Sequence, residues 1–247
     1  MNNQIKELQD KAKNIRRLII KMLAKAGSGH PGGSLSSADL ITALYFSVLR
    51  FDPKNPNLIN RDRFHMSKGH CAPLLYAALA ESGYFPVEKL WTLRQLGSML
   101  QGHPDRRTPG VEVSSGSLGQ GLSVAIGMSL AARIDKLDYR VYCLIGDGEI
   151  QEGNIWEAAM AASHFKCDNL CAILDYNGLQ IDGKVCNIMN LEPINMKWQA
   201  FGWHTIEING HDMKQILAAY DEAKTIKAKP VIIIAHTIKG KGVSFME

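Results

Sequence analysis

Cysteine is scarce in this sequence of 247 residues, and what there is follows no pairing pattern. Cys71, Cys143, Cys167, Cys171 and Cys186 are odd in number and form no CxxC. That argues against a disulfide framework, and the spacings fit no usual zinc-ligand pattern. Cys143 and Cys171 sit inside apolar runs, so the expectation is reduced thiols, mostly packing, in a cytoplasmic protein. Long hydrophobic runs are missing too. Stretches such as 231–235 are far too short to cross a bilayer. The polar start, MNNQIKELQDKAK, does not read as a secretory signal. No Lys/Arg run marks a nucleic-acid tail, and there is no internal repeat, low-complexity stretch or long linker. Against 28 Lys+Arg stand 24 Asp+Glu, a formal charge of +4 spread along the chain. Such a mild bias tolerates an anionic small molecule without demanding one.

What is present is a hydrophobic fraction of 46%, which excludes disorder. The chain is long enough to bury a core unaided, and one domain over residues 1–247 is the expectation. Apolar residues at helical spacing run through 4–26 and stop at Gly27. Further helices are expected at 37–49, 73–82, 119–135, 155–164 and 211–227. Residues 97–121 are rich in Gly and Pro with almost no apolar periodicity, and so long an irregular segment inside a domain is usually functional. Short apolar strands are expected at 140–145, 170–174, 203–208 and 231–236. Strand alternating with helix at these lengths implies an α/β fold, a parallel sheet with right-handed crossovers and helices on both faces.

Ligands of such sheets bind beyond the carboxyl ends of the strands. The first of the four expected strands ends in Gly146-Asp147-Gly148-Glu149 and the second in Asp175-Tyr176-Asn177-Gly178. If the two strands are neighbours, their ends lie roughly 5 Å apart, and a carboxylate and an amide oxygen face one point. That is a hard-cation site with room for phosphate oxygens, best suited to Mg²⁺. Gly146 and Gly148 permit a sharp turn and close backbone approach to a diphosphate, and the following helix aims its N-terminus there. GDG or Asn-Gly alone reads more often as a plain turn; the conjunction at this separation is what points to chemistry.

That conjunction is the motif of thiamine diphosphate enzymes. Over essentially its full length the sequence resembles the transketolase family, through AGSGHPG at 26–32, SKGH at 67–70, QGHP at 101–104, TPGVEVSSGSLGQG at 108–121, GDG at 146–148, DYNGLQID at 175–182 and KGKG at 239–242. It looks most like the N-terminal subunit of a split transketolase. The resemblance implies thiamine diphosphate as cofactor, with Mg²⁺ (or Ca²⁺ or Mn²⁺ in its place) ligated by Asp147, the Asn177 side chain and the Leu179 carbonyl. It also implies Gly148, His70 and Lys239 at the diphosphate and the backbone of Gly116, Ser117 and Leu118 at the aminopyrimidine. His30 and His103 would line the substrate channel. Glu152 and Glu157 match acidic residues near the contact between paired active sites. Of the eight histidines, His30, His70 and His103 adjoin Gly or Pro in irregular segments, where catalytic groups concentrate. An imidazole can bond sugar oxygens and exchange protons near neutral pH. Arg106 and Arg107 are expected in a solvated loop.

In this family the carboxylate acting on the pyrimidine ring, and the arginines gripping sugar phosphate, come from a pyrimidine-binding domain with no counterpart here. The family's Trp-His-Gly segment would fall beyond Glu247. The expectation is therefore half of an active site, inert alone and paired with a C-terminal subunit in an α₂β₂ assembly. Together they would move a two-carbon ketol unit from a ketose phosphate to an aldose phosphate, with no nucleic acid and no membrane involved. The rivals are a ketol transferase for another sugar, a 2-oxoacid dehydrogenase α-like subunit, and a non-catalytic regulatory subunit on the same fold.

Overall fold

The structure is a computed structural model that describes residues 2–181 and 183–247. Met1 and Asp182 lie outside the described residues, so the last residue of the 175–182 motif is not placed. The first helix, α1 (Asn2–Ala26), buries Leu8, Ala12, Ile15, Ile19 and Met22 along one face. Gly27 ends it at φ +67, its N–H donating to the Leu23 carbonyl at 2.9 Å.

The helix expected over 37–49 is present, but as the second part of a longer winding. Winding starts earlier, in α2 (Pro31–Ser36), breaks at Ser37, resumes in α3 (Ala38–Ala43), and ends in a wider turn over Leu44–Val48. There the Leu49 N–H reaches the Leu44 carbonyl, five residues back. Pro31 suits the first turn because it has no N–H to leave unpaired. The Ser34 and Ser37 hydroxyls bond back to the carbonyls of His30 and Gly33. A stretch that reads as a Gly-Ser loop is therefore helical.

The main sheet has the order β1-β2-β3-β7-β6, every pair parallel. Its strands are β1 (Arg63–Met66), β2 (Val141–Gly146), β3 (Leu170–Tyr176), β6 (His204–Asn209) and β7 (Val231–His236). β4 (Leu179–Gln180) and β5 (Gly183–Lys184) make a small separate hairpin. β1 escaped the sequence reading because it is a short edge strand whose four residues, R-F-H-M, show no apolar run. The hairpin and two short helices, α7 (Val185–Ile188) and α8 (Ile194–Ala200), occupy the stretch between the strands expected at 170–174 and 203–208, where no element is expected from the sequence.

Alternate strand residues serve two cores, as the two-residue period of a strand requires. Tyr142, Leu144, Cys171, Ile173 and Ile233 face α1, α3, α4 (Ala72–Glu81) and α9 (Met213–Thr225). Val141, Cys143, Ile145, Ala172 and Ile234 face α5 (Gly121–Ile134), α6 (Gly153–His164) and α8. The crossover from β2 to β3 runs through α6 on one face, and that from β6 to β7 through α9 on the other. The chain changes direction across the sheet where β3 meets β7, which makes the carboxyl ends of β2, β3 and β7 a crevice. Between Leu93 and Gln120 there is no regular element among the described residues, as expected for 97–121, and this segment folds over that crevice.

Candidate functional site

The crevice is a cavity of about 560 Å³. β2 and β3 are neighbours, with Gly146 opposite Asp175, so Asp147 and Asn177 emerge side by side as the spacing implies. Asp147 is 3% exposed. Its Oδ1 accepts the Gly148 N–H at 2.8 Å and its Oδ2 the Gly178 N–H at 2.6 Å, tying the two strand ends together. Gly178 sits at φ +74, where a side chain would be strained. Burial, and then the nearby Asp175 charge, push the Asp147 carboxyl up to about 6. No side-chain cation bonds it among the described residues. Asn177 donates through Nδ2 to Asp175 Oδ2 at 3.1 Å, while its Oδ1 accepts the Leu179 N–H at 3.1 Å.

Asp175 is the hidden hub of this wall. Completely buried, it accepts hydrogen bonds from Ser36 Oγ (2.6 Å), Lys68 Nζ, Thr237 Oγ1 and Asn177 Nδ2. Burial alone would raise its pKa; the Lys68 ammonium and these bonds outweigh that and hold it below the usual carboxylate range. Lys68, 2% exposed, also donates to the Gly33 carbonyl at 3.1 Å. Despite its own burial it is shifted upward by Asp175 and stays charged.

The facing wall is held by a different carboxylate. Glu149, 2% exposed, accepts from Ser67 Oγ, from the Gly119 N–H at 3.0 Å and from the Gly146 N–H at 3.0 Å. It thus fastens the loop carrying Gly116, Ser117 and Leu118 to the end of β2. Burial raises its pKa more than these bonds lower it. His30 and His70 meet edge to face, 5.4 Å between ring centroids. Burial, followed by Lys68 and the neighbouring histidines, pushes His70 down to about 4. His30 is lowered as well, by burial and then by Arg94, His103 and Lys239. Lys239 reaches the Ile181 carbonyl at 3.1 Å.

Nine of the eleven expected site residues, His30, His70, Gly116, Leu118, Asp147, Gly148, Asn177, Leu179 and Lys239, line this one cavity. The other two do not line it. His103 packs against Gly116, where an added Cβ would stand 3.3 Å from its ring. Ser117 faces an adjoining pocket shared with His65 and Ser115. Glu152 and Glu157 are exposed on and beside α6. Arg107 is exposed and paired with Asp105. Lys68, Glu149, Asp175, Ser36 and Thr237 were missed as site residues. Three of them fall inside quoted motifs, SKGH, GDGE and DYNG, but sequence adjacency does not reveal which buried charge meets which.

Fold and site together define an α/β domain whose strand ends offer backbone amides, cationic side chains and oxygen donors suited to an anionic ligand and a divalent cation. The chain belongs to the transketolase family: residues 8–247 match its thiamine diphosphate binding domain. It is 50% identical to the 6-deoxy-6-sulfo-D-fructose transketolase subunit SqwG of Clostridium sp., over 100% of this chain and 90% of that protein. It is 46% identical to an apulose-4-phosphate transketolase subunit of Phocaeicola vulgatus, over 99% and 87%. The crystal structure of transketolase from Campylobacter jejuni superposes with a TM-score of 0.92 at 41% identity, covering 98% of this chain but 39% of that one. Transketolases use thiamine diphosphate with a divalent metal ion, and the residues present fit that pair. A carboxylate, an amide oxygen and a backbone carbonyl form a hard-cation donor set. A Cβ at Gly148 would stand 3.1 Å from the Gln180 side chain, so glycine keeps that amide approachable. No described helix is long and apolar enough to cross a membrane.

Proposed function

We propose that this chain is the N-terminal, cofactor-holding subunit of a split transketolase, one domain over residues 1–247. With a C-terminal subunit carrying the pyrimidine-binding domain, in an α₂β₂ assembly, it moves a two-carbon ketol unit from a ketose phosphate to an aldose phosphate, as in the pentose phosphate pathway. The observation that carries this reading is the convergence of Asp147 and Asn177 at neighbouring strand ends, beneath His30, His70 and Lys239, in one cavity. Thiamine diphosphate supplies, when bound, the nucleophilic carbon and electron sink needed to break a carbon–carbon bond beside a carbonyl.

The chain's own residues bind and orient. Asp147, Asn177 Oδ1 and the Leu179 carbonyl ligate Mg²⁺, with Ca²⁺ or Mn²⁺ able to take its place. The Gly148 amide, a neutral His70 donating one N–H, and the Lys239 ammonium hold the diphosphate oxygens. The backbone of Gly116, Ser117 and Leu118 holds the aminopyrimidine. His30 and His103 bond the sugar's hydroxyl and carbonyl oxygens; as a neutral ring His30 can donate through one nitrogen and accept at the other. The intact Asp147/Asn177 pair weighs against a non-catalytic role, and the transketolase relatives weigh against a 2-oxoacid dehydrogenase. The free cysteines support a cytoplasmic setting.

The test is two-carbon transfer by the purified chain, its partner and the two together, with thiamine diphosphate and Mg²⁺. Because the two relatives are named for different sugars, both a sulfosugar and phosphosugars belong among the donors. Turnover only in the mixture is expected. Turnover by the chain alone, or none by the mixture on any donor, would overturn the reading.

A further inference from the structure

We infer that Asp175, paired with Lys68, is a positioning residue that decides which end of the Asn177 amide faces the divalent cation; this rests on the cation site proposed above. An asparagine side chain is nearly symmetric in shape, and its two ends differ only in what they can bond. Only the oxygen end can ligate a hard cation. An ionised carboxylate is acceptor-only, so any amide touching it must present its NH₂. The Asn177 Nδ2 lies 3.1 Å from Asp175 Oδ2, which leaves Oδ1 on the side of the Leu179 N–H, 3.1 Å away, where the neighbouring Leu179 carbonyl and Asp147 lie along the same cavity.

Asp175 can act this way because it is held in place: Lys68 Nζ and Ser36 Oγ bond Oδ2 and Thr237 Oγ1 bonds Oδ1, drawing on the end of β1, on α2 and on the segment after β7. Asp175 does not line the cavity, and Lys68, which does, has its Nζ bonded to Asp175 and to the Gly33 carbonyl. The pair acts through Asn177, as outer-shell partners orient metal ligands elsewhere.

The experiment uses the chain reconstituted with thiamine diphosphate and its C-terminal partner, with Mn²⁺ as probe and free Mn²⁺ read by electron paramagnetic resonance. The informative variant is Lys68→Met with Asp175→Asn. It leaves no unpaired buried charge, and its Asn can donate or accept, so either orientation of Asn177 is allowed. We expect this double variant to keep the parent's circular dichroism yet bind Mn²⁺ about 10- to 100-fold more weakly, while Lys68→Arg, which keeps the cation, stays close to the parent. Binding equal to the parent's would show the pair to be only structural and overturn the inference. If the double variant does not fold, Thr237→Val takes its place, since it frees only Oδ1 of Asp175. Weakened Mn²⁺ binding then supports the inference, and unchanged binding overturns it. A parent complex that takes up no Mn²⁺ overturns the cation-site reading itself, a result distinct from either.

Discussion

Two carboxylates hold the two walls of the cavity, and they are stabilised by opposite means. Asp175, on the sheet wall, sits on a central strand whose backbone groups are engaged in the ladder on both sides. It therefore fixes other side chains, and Lys68 supplies a full counter-charge. Glu149, on the loop wall, has free amides within reach at Gly119 and Gly146, with Ser67 beside them. The outcome differs in sign: Asp175 is shifted down and Glu149 up. The donors around Glu149, with Lys68 acting on it only through space, do not outweigh its burial; at Asp175 the directly bonded ammonium, together with the Ser36 and Thr237 hydroxyls, does.

Removing the cation should expose that difference most sharply. Lys68→Met leaves Asp175 buried and unpaired and should cost about 3–5 kcal/mol in urea unfolding. Glu149→Gln keeps shape and an acceptor oxygen and should cost about 1–3 kcal/mol; equal losses would break the comparison. Next in size is a pH effect behind the loop wall. Burial pushes His65 down to about 4, below its unfolded value of about 6.5. Its contribution is therefore full above pH 6.5 and is lost as pH falls towards 4, by roughly 3 kcal/mol in all. Chemical denaturation at stepped pH reads this, and His65→Asn should flatten the slope between those limits; an unchanged slope would count against it.

Glycine substitutions sharpen the comparison further. A Cβ at Gly121 would lie 2.2 Å from Ser67 Oγ and 2.7 Å from Ser67 Cα. Gly121→Ala must push Ser67 off Glu149, at about 1–3 kcal/mol. At Gly148 the obstacle is the flexible Gln180 side chain at 3.1 Å, so Gly148→Ala should leave the melting temperature nearly unchanged while weakening thiamine diphosphate binding by calorimetry. Smallest of all is Arg107→Ala, outside both walls in a solvated loop, which should stay within about 0.5 kcal/mol of the parent.

Much of this architecture was legible in the chain. Three of the five strands of the main sheet, β2, β3 and β7, announce themselves as apolar runs because a central parallel strand is buried on both faces, while β6, on one edge, shows only through the alternation of Ile206 and Ile208. β1 does not, being an edge strand of four residues. The 31–36 helix was hidden because its glycines and serines favour loops in isolation, and only tertiary packing with hydroxyl-to-carbonyl bonds makes them helical. At the site, Asp147 and Asn177 could be placed by strand-end logic. Asp175 and Lys68 could not: a parallel sheet and a helix pair had to form before a lysine from the end of β1 met an aspartate from the end of β3. The hairpin after Asn177 had no signal beyond a turn.

The last feature lies where the chain's opening and closing stretches touch. The Gly240 N–H donates to the Gly32 carbonyl at 3.1 Å, and the Lys239 stem lies so close that a Cβ at Gly32 would stand 2.9 Å from it. A ribosome delivers His30 and His70 long before Lys239. The nascent polypeptide can therefore carry most of the cavity lining before the segment that joins Gly240 to Gly32 exists to complete it. Fragments released before residue 239 should therefore be left with an unfinished cavity.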